Sequence, residues 1–252
     1  MDRIRWGMIG CGSVAEMKSG PAFNKVPHSQ LMAVMRRDEA LLKEYALRHQ
    51  VPQTFTNALE LIHHPGIDAI YIATPPDVHE AYAIEAMRAN KFVYVEKPMA
   101  TTVLACEHMQ QVANEVNGKL TIAHYRRQLP LFLKVKELLD QDTIGKISEV
   151  KIIMHKKAGP KTYYENNWRV NKARSGGGLF YDLAPHQLDL VFYFFGKALN
   201  YHGSATNVSD LYLVEDTVKG AMQMENGIQF YGDWCFAIDE RAQEQDVFLI
   251  KG

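Results

Sequence analysis

The sequence predicts an α/β protein whose N-terminal domain is a doubly wound parallel sheet. It is followed by a C-terminal α+β domain with an open, mainly antiparallel sheet. In the first half, short apolar runs alternate with amphipathic stretches, which is typical of βαβ units. From residue 199 onward the chain is strand-like throughout, which is typical of an antiparallel sheet. We expect the boundary near Ala123, so that the two domains span residues 1–123 and 124–252.

The first half contains candidate strands separated by helical patterns. The candidate strands are the apolar runs at 5–9, 31–35, 69–73, 92–95 and 120–123. Helical patterns lie between them at 38–49, 77–89 and 101–117. Within 77–89 the apolar residues recur roughly at the spacing of one helix face, and they are Val78, Ala81, Tyr82, Ile84 and Ala86.

The second half is organised differently. A helical pattern at 131–139 is followed by loose alternation at 146–156, which predicts a strand, and by a polar, aromatic loop at 158–174. The segment "SGGGLFYDLAPHQLDLVFYFFG" at 175–196 predicts one more helix with a glycine-rich start. Further strands are expected at 200–208, 211–225, 228–237 and 246–250, with turns at "ENG" and "DERAQEQ".

The composition is that of an ordinary globular protein, with 47% hydrophobic and 23% charged residues among 252. The formal net charge of −1 implies no broad basic face for nucleic acid. The 3 cysteines are too few and too scattered for a disulfide framework or a CxxC metal site. With neither a signal-peptide pattern nor a membrane-length apolar run, the simplest interpretation is a soluble, cytoplasmic protein without a membrane partner.

The hexapeptide "GCGSVA" at 10–15 directly follows the first predicted strand and opens a helical segment. In such a turn, Gly10 permits the tight bend, Gly12 lets the backbone approach a pyrophosphate, and Ala15 allows close packing of helix on strand. The phosphates would rest on backbone N–H groups at the helix N-terminus, around Ser13 and Val14. Glycine turns are common, but this position in a βαβ pattern favours a dinucleotide site in a Rossmann domain.

The second predicted strand ends in Arg36 and Arg37, where an NAD site usually has Asp or Glu for the ribose 2′-OH. Two guanidinium groups suit a 2′-phosphate, which they can bind through bidentate, charge-assisted hydrogen bonds. A solvated basic pair at a strand end is the alternative. Together with the glycine turn, the pair favours NADP as the cofactor and leaves NAD open.

The apolar run at 92–95 ends in Glu96, Lys97 and Pro98. Buried charge is costly unless it is paired, so these side chains either face water or lie where chemistry happens. In a doubly wound sheet the ligand lies outside the carboxyl ends of the strands, which is where this segment and "ATPPDVHE" at 73–80 are expected. A surface ion pair capping a strand is the alternative. We therefore expect Glu96 and Lys97 to line the cofactor crevice.

A second candidate constellation lies in "GGGLFYDLAPHQLD". Asp182 and His186 are four residues apart, so on one helix they would share a face. A carboxylate and an imidazole that converge there can bind a hydroxylated carbon and move its proton. The alternatives are a helix N-cap for Asp182 and a partly buried, hydrogen-bonded histidine for His186.

Taken together, "GCGSVA", "VEKPMA" and "GGGLFYDLAPHQLD" resemble the glucose-fructose oxidoreductase and inositol dehydrogenase (Gfo/Idh/MocA) family of NAD(P)-dependent oxidoreductases. The match runs over most of the chain in the expected order, and "NWR" at 167–169 is also familiar from the family. The resemblance implies a Rossmann domain followed by an α+β domain whose open sheet often forms the interface of a homodimer or higher homo-oligomer. For that interface the sequence offers Tyr201, Tyr212, Met222, Met224, Phe230 and Trp234, a set of which part must instead cover the domain's own helices.

The resemblance also implies roles for individual residues. Lys97 would hydrogen-bond and polarise the reacting oxygen, His186 would be the general acid/base, and Asp182 would be its neighbour in the substrate site. The implied reaction is hydride transfer between NAD(P) and a small polyol, sugar or diol, with no metal. Other residues implied along the cofactor are Thr74, Pro75, His79 and Glu96, and those implied toward the substrate are Tyr125, Arg126, Trp168 and Arg169.

Two questions stay open on the sequence. Family chains usually continue beyond a segment like "DVFLIKG", so a natural short form, a trimmed chain and an edge covered by a neighbouring subunit are all compatible with it. A non-catalytic dinucleotide-binding sensor or scaffold is the alternative function, which the joint presence of Lys97, Asp182 and His186 disfavours. The aromatic residues near the predicted substrate site suit a sugar ring or an aromatic diol equally, and they are Tyr163, Tyr164, Trp168 and Tyr181.

Overall fold

The computed structural model describes residues 3–159 and 167–252, apart from the side chain of Lys18. Two compact units make up the chain, the first ending at Ala123 and the second beginning at His124. No helix in the described part of the chain is both long and apolar enough to cross a membrane.

The N-terminal unit contains a six-stranded parallel sheet in the order β3-β2-β1-β4-β5-β6. Its strands are β1 Ile4–Ile9, β2 Ser29–Met35, β3 Gln53–Phe55, β4 Ala69–Ile72, β5 Phe92–Val95 and β6 Leu120–Ile122. Its α-helices are α1 Gly20–Lys25, α2 Glu39–His49, α3 Ala58–Ile62, α4 His79–Arg88 and α5 Val103–Glu115. The strand order reverses between β1 and β4, which is where an open α/β sheet leaves a crevice for a ligand.

Both faces of this sheet are covered, which explains why its strands are continuous apolar runs. In β4 every residue is buried, with Ile70 and Ile72 in one hydrophobic cluster and Tyr71 in the cluster on the opposite face. The short strand β3 and the short helix α3 are absent from the sequence prediction. The strand β3 consists of three residues of mixed polarity, "QTF", and so short a segment shows no hydrophobic periodicity from which an edge strand could be predicted.

The C-terminal unit contains a mixed, mostly antiparallel sheet in the order β11-β7-β10-β9-β8, in which only the pairing of β10 with β7 is parallel among the described strands. Its strands are β7 Glu149–Lys157, β8 Ala198–Thr206, β9 Thr217–Met224, β10 Gln229–Ile238 and β11 Gln245–Lys251. Its α-helices are α6 Pro130–Asp140, α7 Lys172–Ser175, α8 Gly178–Leu183 and α9 Pro185–Phe195. The predicted fold class is therefore confirmed.

Alternation along the strands determines which face of this sheet forms the core. The buried residues of β7 and β10, among them Ile152 and Trp234, pack against Val191 and Phe195 of α9. The structure identifies the part of the apolar set that is buried within the unit, because Met224, Phe230 and Trp234 are at most 2% exposed and Tyr212 only 9%. The opposite face is open and mixed in polarity, with Tyr231 and Leu249 exposed, and its groove is lined by Lys151 and by residues 202–204, 219–221 and 231–233.

The predicted strand at 211–225 is wrong in its first part, since β9 begins only at Thr217. The preceding loop closes around Asp216, which is 1% exposed and accepts hydrogen bonds from the backbone N–H groups of Val208 and Ser209 and from the Thr217 hydroxyl. Burial opposes ionisation of Asp216, but the hydrogen bonds outweigh it and lower the pKa of the carboxyl group. A buried carboxylate that binds the loop backbone thus replaces strand pairing there.

Candidate functional site

The glycine turn follows β1 with the geometry that its sequence predicts. Gly10 has φ of 100°, and a Cβ there would lie 2.9 Å from the carbonyl carbon and oxygen of Ala73, so glycine is required. A Cβ on Gly12 would meet nothing within 4 Å, so this stretch of backbone faces open space. The turn therefore offers what a dinucleotide pyrophosphate needs, a tight bend followed by an unobstructed backbone.

The helix after the turn begins irregularly. Residues Ala15–Ser19 form a π-helical turn, in which the N–H of Gly20 donates to the carbonyl oxygen of Ala15. Pro21 follows at the start of α1, where its missing N–H is tolerated. The hydroxyl group of Tyr45 also donates to the Ala15 oxygen, over 3.2 Å. Such π-turns are frequent at functional sites, and here the turn sets the direction of the helix behind Ser13 and Val14.

An open cleft of about 490 Å³ lies in front of the turn and is lined by Cys11, Gly12, Ser13, Glu16, Arg36, Glu44 and Arg48. Of the predicted arginine pair, Arg36 lines this cleft and donates from Nη1 to the carbonyl oxygen of Cys11 over 2.8 Å, whereas Arg37 is exposed elsewhere. The sequence interpretation missed Arg48, which bonds Glu16 over 2.8 Å. Hydrogen bonds from Arg48 and then His49 lower the pKa of Glu16.

Cys11 lies within the glycine turn but is not exposed for chemistry. Its thiol is buried and directed at the carbonyl oxygen of Met35 over 3.6 Å. Burial raises the pKa of this thiol to about 12, so it stays protonated near neutral pH. Among the described residues, no group of three His, Cys, Asp or Glu side chains could hold a metal ion.

His79, at the start of α4, lies beneath the loops that follow β4 and β5. The side chain is fully buried, with Nε2 2.8 Å from the carbonyl oxygen of Thr74 and Nδ1 3.0 Å from that of Pro98. Burial lowers the pKa of His79, although the two carbonyl groups favour the charged ring. The structure thus shows His79 joining the segment with Thr74 and Pro75 to the one with Lys97.

The charged segment after β5 is organised by a tyrosine. Oε1 of Glu96 accepts a hydrogen bond from the hydroxyl of Tyr71 over 2.6 Å, and Oε2 accepts one from the backbone N–H of Lys97 over 3.3 Å. Lys97 is half-buried and precedes Pro98 through a cis peptide bond. The carboxylate and ammonium groups after β5 therefore lie at the carboxyl edge of the sheet, where the sequence predicts them.

In the second unit, Asp182 and His186 do not share one continuous helix, because α8 ends at Leu183 and α9 begins at Pro185. Both side chains are 8% exposed. Asp182 accepts a hydrogen bond from Nε of Arg169 over 2.6 Å, so its contact is an ion pair instead of the N-cap considered above. Proline at the second helix start explains the break, since it cannot donate into the preceding turn.

Aromatic rings flank these two side chains. The guanidinium carbon of Arg169 lies 4.5 Å from the centroid of the Trp168 ring, so that Trp168, Arg169 and Asp182 form one group. The ring of Tyr125 meets His186 edge-on, with centroids 5.3 Å apart. The structure therefore places five of the predicted substrate residues in two contact groups within this unit. Tyr163 and Tyr164 lie outside the described residues.

One charged contact near this group escaped the sequence interpretation. Arg127, the neighbour of the predicted substrate residue Arg126, forms a two-oxygen ion pair with Asp189 of α9, with Nε 3.1 and 2.9 Å from Oδ1 and Oδ2. Asp189 is 8% exposed, and its hydrogen bond raises the pKa of Arg127. The pair anchors the 3₁₀ turn of Tyr125–Gln128 to α9 one helical turn beyond His186. Adjacent arginines in a sequence give no signal that separates their roles.

Comparison with known proteins assigns both units. Residues 4–124 match a family model described as an oxidoreductase family with an NAD-binding Rossmann fold, and residues 132–252 match the model of the GFO/IDH/MocA C-terminal domain. The chain belongs to the Gfo/Idh/MocA oxidoreductase family. Together, the two matches cover nearly all of the chain, as the three sequence motifs imply.

Individual relatives agree with this assignment. An oxidoreductase of Formosa agariphila is 42% identical over 252 residues, which cover 99% of this chain and 77% of that protein. The scyllo-inositol 2-dehydrogenase (NADP+) of Bacillus subtilis is 25% identical over 78% of this chain and 53% of its own length. Among solved structures, a Thermotoga maritima oxidoreductase has the same fold, with a TM-score of 0.90 at 23% identity over 99% of this chain and 76% of that one.

Proposed function

We propose that the protein interconverts a hydroxyl and a carbonyl group on a small polyol, sugar or diol, with NADP as the preferred cofactor. The observation that carries this proposal is the charged segment after β5, where Lys97 follows a strand of the parallel sheet whose glycine turn fits a dinucleotide. The name of the Bacillus subtilis relative, an NADP-dependent inositol dehydrogenase, supports both the substrate class and the cofactor.

The bound nicotinamide supplies a carbon that accepts or returns a hydride. In the oxidising direction, His186 takes the hydroxyl proton as the C–H bond of the carbinol is broken. Lys97 donates a hydrogen bond to the same oxygen and stabilises the negative charge that develops on it. Asp182, held by Arg169, orients a second hydroxyl of the substrate, and the 8% exposure of both Asp182 and His186 limits competing water.

On the cofactor side, the proposal assigns the pyrophosphate to the backbone of Gly10, Gly12, Ser13 and Val14. The cleft beside this turn supports a role for Arg36 toward a 2′-phosphate, because Arg36 lines it and Arg37 does not. Glu96 is proposed to contact the nicotinamide ribose, with Thr74 and Pro75 alongside. His79, being fully buried, would act on the cofactor only by holding the strand-end loops.

Substitution of Lys97 by methionine tests the mechanism. We expect Lys97→Met to retain its melting temperature and its NADPH affinity while turnover of a polyol, sugar or diol found in a substrate screen falls by about 10²–10⁴. His186→Asn should lower turnover similarly and remove one ionisation from the pH–rate profile. A matched control is Lys43→Met, since Lys43 is an exposed lysine that pairs with Glu39 on α2.

The outcomes separate the competing interpretations. A structural cap at Lys97 would show a lower melting temperature with a rate within a few-fold of the unmodified protein. A dinucleotide-binding sensor would bind NADPH yet turn over no substrate in any variant. A fully active Lys97→Met protein would reject the mechanism.

A further inference from the structure

A fully buried tyrosine in the middle of β4 places its hydroxyl group between two polar side chains. The Tyr71 hydroxyl lies 2.6 Å from Oε1 of Glu96 and 2.9 Å from Oγ of Ser19, while the residue has no exposed surface. A buried hydroxyl group is costly unless it is hydrogen-bonded, and here both contacts satisfy it. These contacts lead to the predicted cofactor edge.

Packing leaves the phenol ring of Tyr71 little freedom. Its centroid is 5.4 Å from that of Tyr94 in a stacked arrangement and 5.2 Å from that of Phe23. Burial, followed by the neighbouring Glu96 charge, raises the pKa of Tyr71. The hydroxyl group therefore stays protonated and donates a hydrogen bond to the carboxylate. Hydrogen bonds to a charged group are among the stronger ones in proteins. The carboxylate of Glu96 is thereby held in one orientation.

The second contact leads to the glycine turn. Ser19 is the last residue of the π-helical turn that follows Val14. Because the Tyr71 hydroxyl donates its one proton to Glu96, its oxygen accepts from the Ser19 hydroxyl over 2.9 Å, and the carbonyl oxygen of Val14, 3.3 Å away, is the alternative acceptor for that one Ser19 proton. Val14 belongs to the turn that is proposed to hold the pyrophosphate. A single phenol group therefore connects the helix behind the glycine turn to the segment carrying Glu96 and Lys97.

We propose that Tyr71 is a positioning residue of the cofactor site, which orients the Glu96 carboxylate and couples it through Ser19 to the glycine turn. The inference rests on the proposed function in that Glu96 is taken to contact the cofactor. It predicts that the phenol hydroxyl contributes to NAD(P)H affinity without touching NAD(P)H.

The test compares two tyrosines that lose the same atom. Tyr71→Phe and Tyr82→Phe each remove a phenol hydroxyl group from the N-terminal unit, but Tyr82 lies on α4 and packs against the hydrophobic cluster on the opposite face of the sheet. Dissociation constants for NADPH and NADH are measured by fluorescence, together with melting temperatures. We expect Tyr71→Phe to weaken binding of the preferred cofactor about tenfold, or about 1.4 kcal/mol, and Tyr82→Phe to change it less than about twofold.

A double-mutant cycle separates positioning from general destabilisation. In a Glu96→Ala background, Tyr71→Phe should weaken binding no further than about twofold, because the group through which it acts is gone. Equal weakening with and without Glu96, or unchanged affinity of Tyr71→Phe, would overturn the proposal. If Tyr71→Phe fails to fold, Ser19→Ala replaces it, and an unchanged affinity would count against the coupling.

The affinity readout also keeps this inference distinct from the proposed reaction. An unmodified protein that binds NAD(P)H but oxidises or reduces no polyol, sugar or diol would reject the reaction, and the affinity comparison would still decide the role of Tyr71. An unmodified protein without NAD(P)H affinity would overturn both.

Discussion

At the scale of single residues, Arg36 is the side chain that should decide between the two cofactors. It lines the cleft beside the glycine turn and already donates to the carbonyl oxygen of Cys11. Loss of a hydrogen bond to a charged group costs about 1.5–3 kcal/mol, so Arg36→Asp should weaken NADPH binding by about one to two orders of magnitude. Titrations with NADPH and NADH on the same samples measure this, with NADPH expected to bind more tightly to the unmodified protein.

The adjacent arginine provides a matched control for Arg36. Arg37→Asp makes the same charge change on an exposed side chain that does not line the cleft, and a smaller effect is expected. Because NADH lacks the 2′-phosphate, its affinity reports any loss caused by the broken contact with Cys11. Tighter binding of NADH than NADPH by the unmodified protein would contradict the NADP assignment.

At the scale of structural elements, His79 makes the junction between the β4 and β5 loops sensitive to acid. Its pKa is lowered in the folded chain and is about 6.5 when unfolded, so the folded state resists a proton that the unfolded state accepts. The contribution of His79 to the free energy of unfolding is therefore fully present above about pH 6.5. It falls as the pH drops toward the lowered pKa of the folded state, by at most about 1.4 kcal/mol per pH unit. We expect His79→Gln, which cannot titrate, to lose less melting temperature between pH 7 and pH 5 than the unmodified protein.

An exposed histidine serves as the comparison for this experiment. His63 pairs with Glu85 at the surface, over 2.8 Å from Nε2 to Oε1, and is 56% exposed as a side chain. His63→Gln should therefore leave the acid-induced loss of stability in place. If the His79→Gln and unmodified proteins lose stability in parallel, the junction is not the acid-sensitive element.

At the scale of the whole molecule, we expect a homo-oligomer, most simply a two-fold dimer, formed through the open face of the C-terminal sheet. Leu249 of β11 is 48% exposed and is paired with Lys151, which lines the groove on that face with Tyr231. A stable interface buries about 1,200–2,000 Å², which requires most of such a sheet face. Leu249→Glu should shift the mass measured by light scattering at micromolar concentration toward the monomer.

The control for this substitution lies on the other unit. Leu47 on α2 is 82% exposed, so Leu47→Glu makes the same chemical change away from the C-terminal sheet. We expect the mass of the Leu47→Glu protein in light scattering to equal that of the unmodified protein. A monomeric unmodified protein would refute the assembly, and an equal effect of both substitutions would remove the sheet face from it.

The sequence by itself determined the fold class and the places along the chain where chemistry is expected. Periodicity and glycine chemistry are local properties, so the parallel sheet, the turn at Gly10 and the charged end of β5 could all be predicted. The motifs at Gly10, Glu96 and Asp182 likewise sufficed to identify the family. Short elements such as β3 could not be predicted, because three residues carry no period.

Only the tertiary structure decided which groups meet, because those contacts join residues far apart in sequence. The phenol of Tyr71 reaches Glu96 across 25 positions, and Arg127 finds Asp189 across 62. The same reason explains why some candidate interface residues, such as Trp234, lie in the core. Alternation along a strand distinguishes its two faces but does not indicate which face a helix covers. The sequence gives the chemical type of each side chain, but the burial of that side chain and its contact partners are determined only when distant segments pack together.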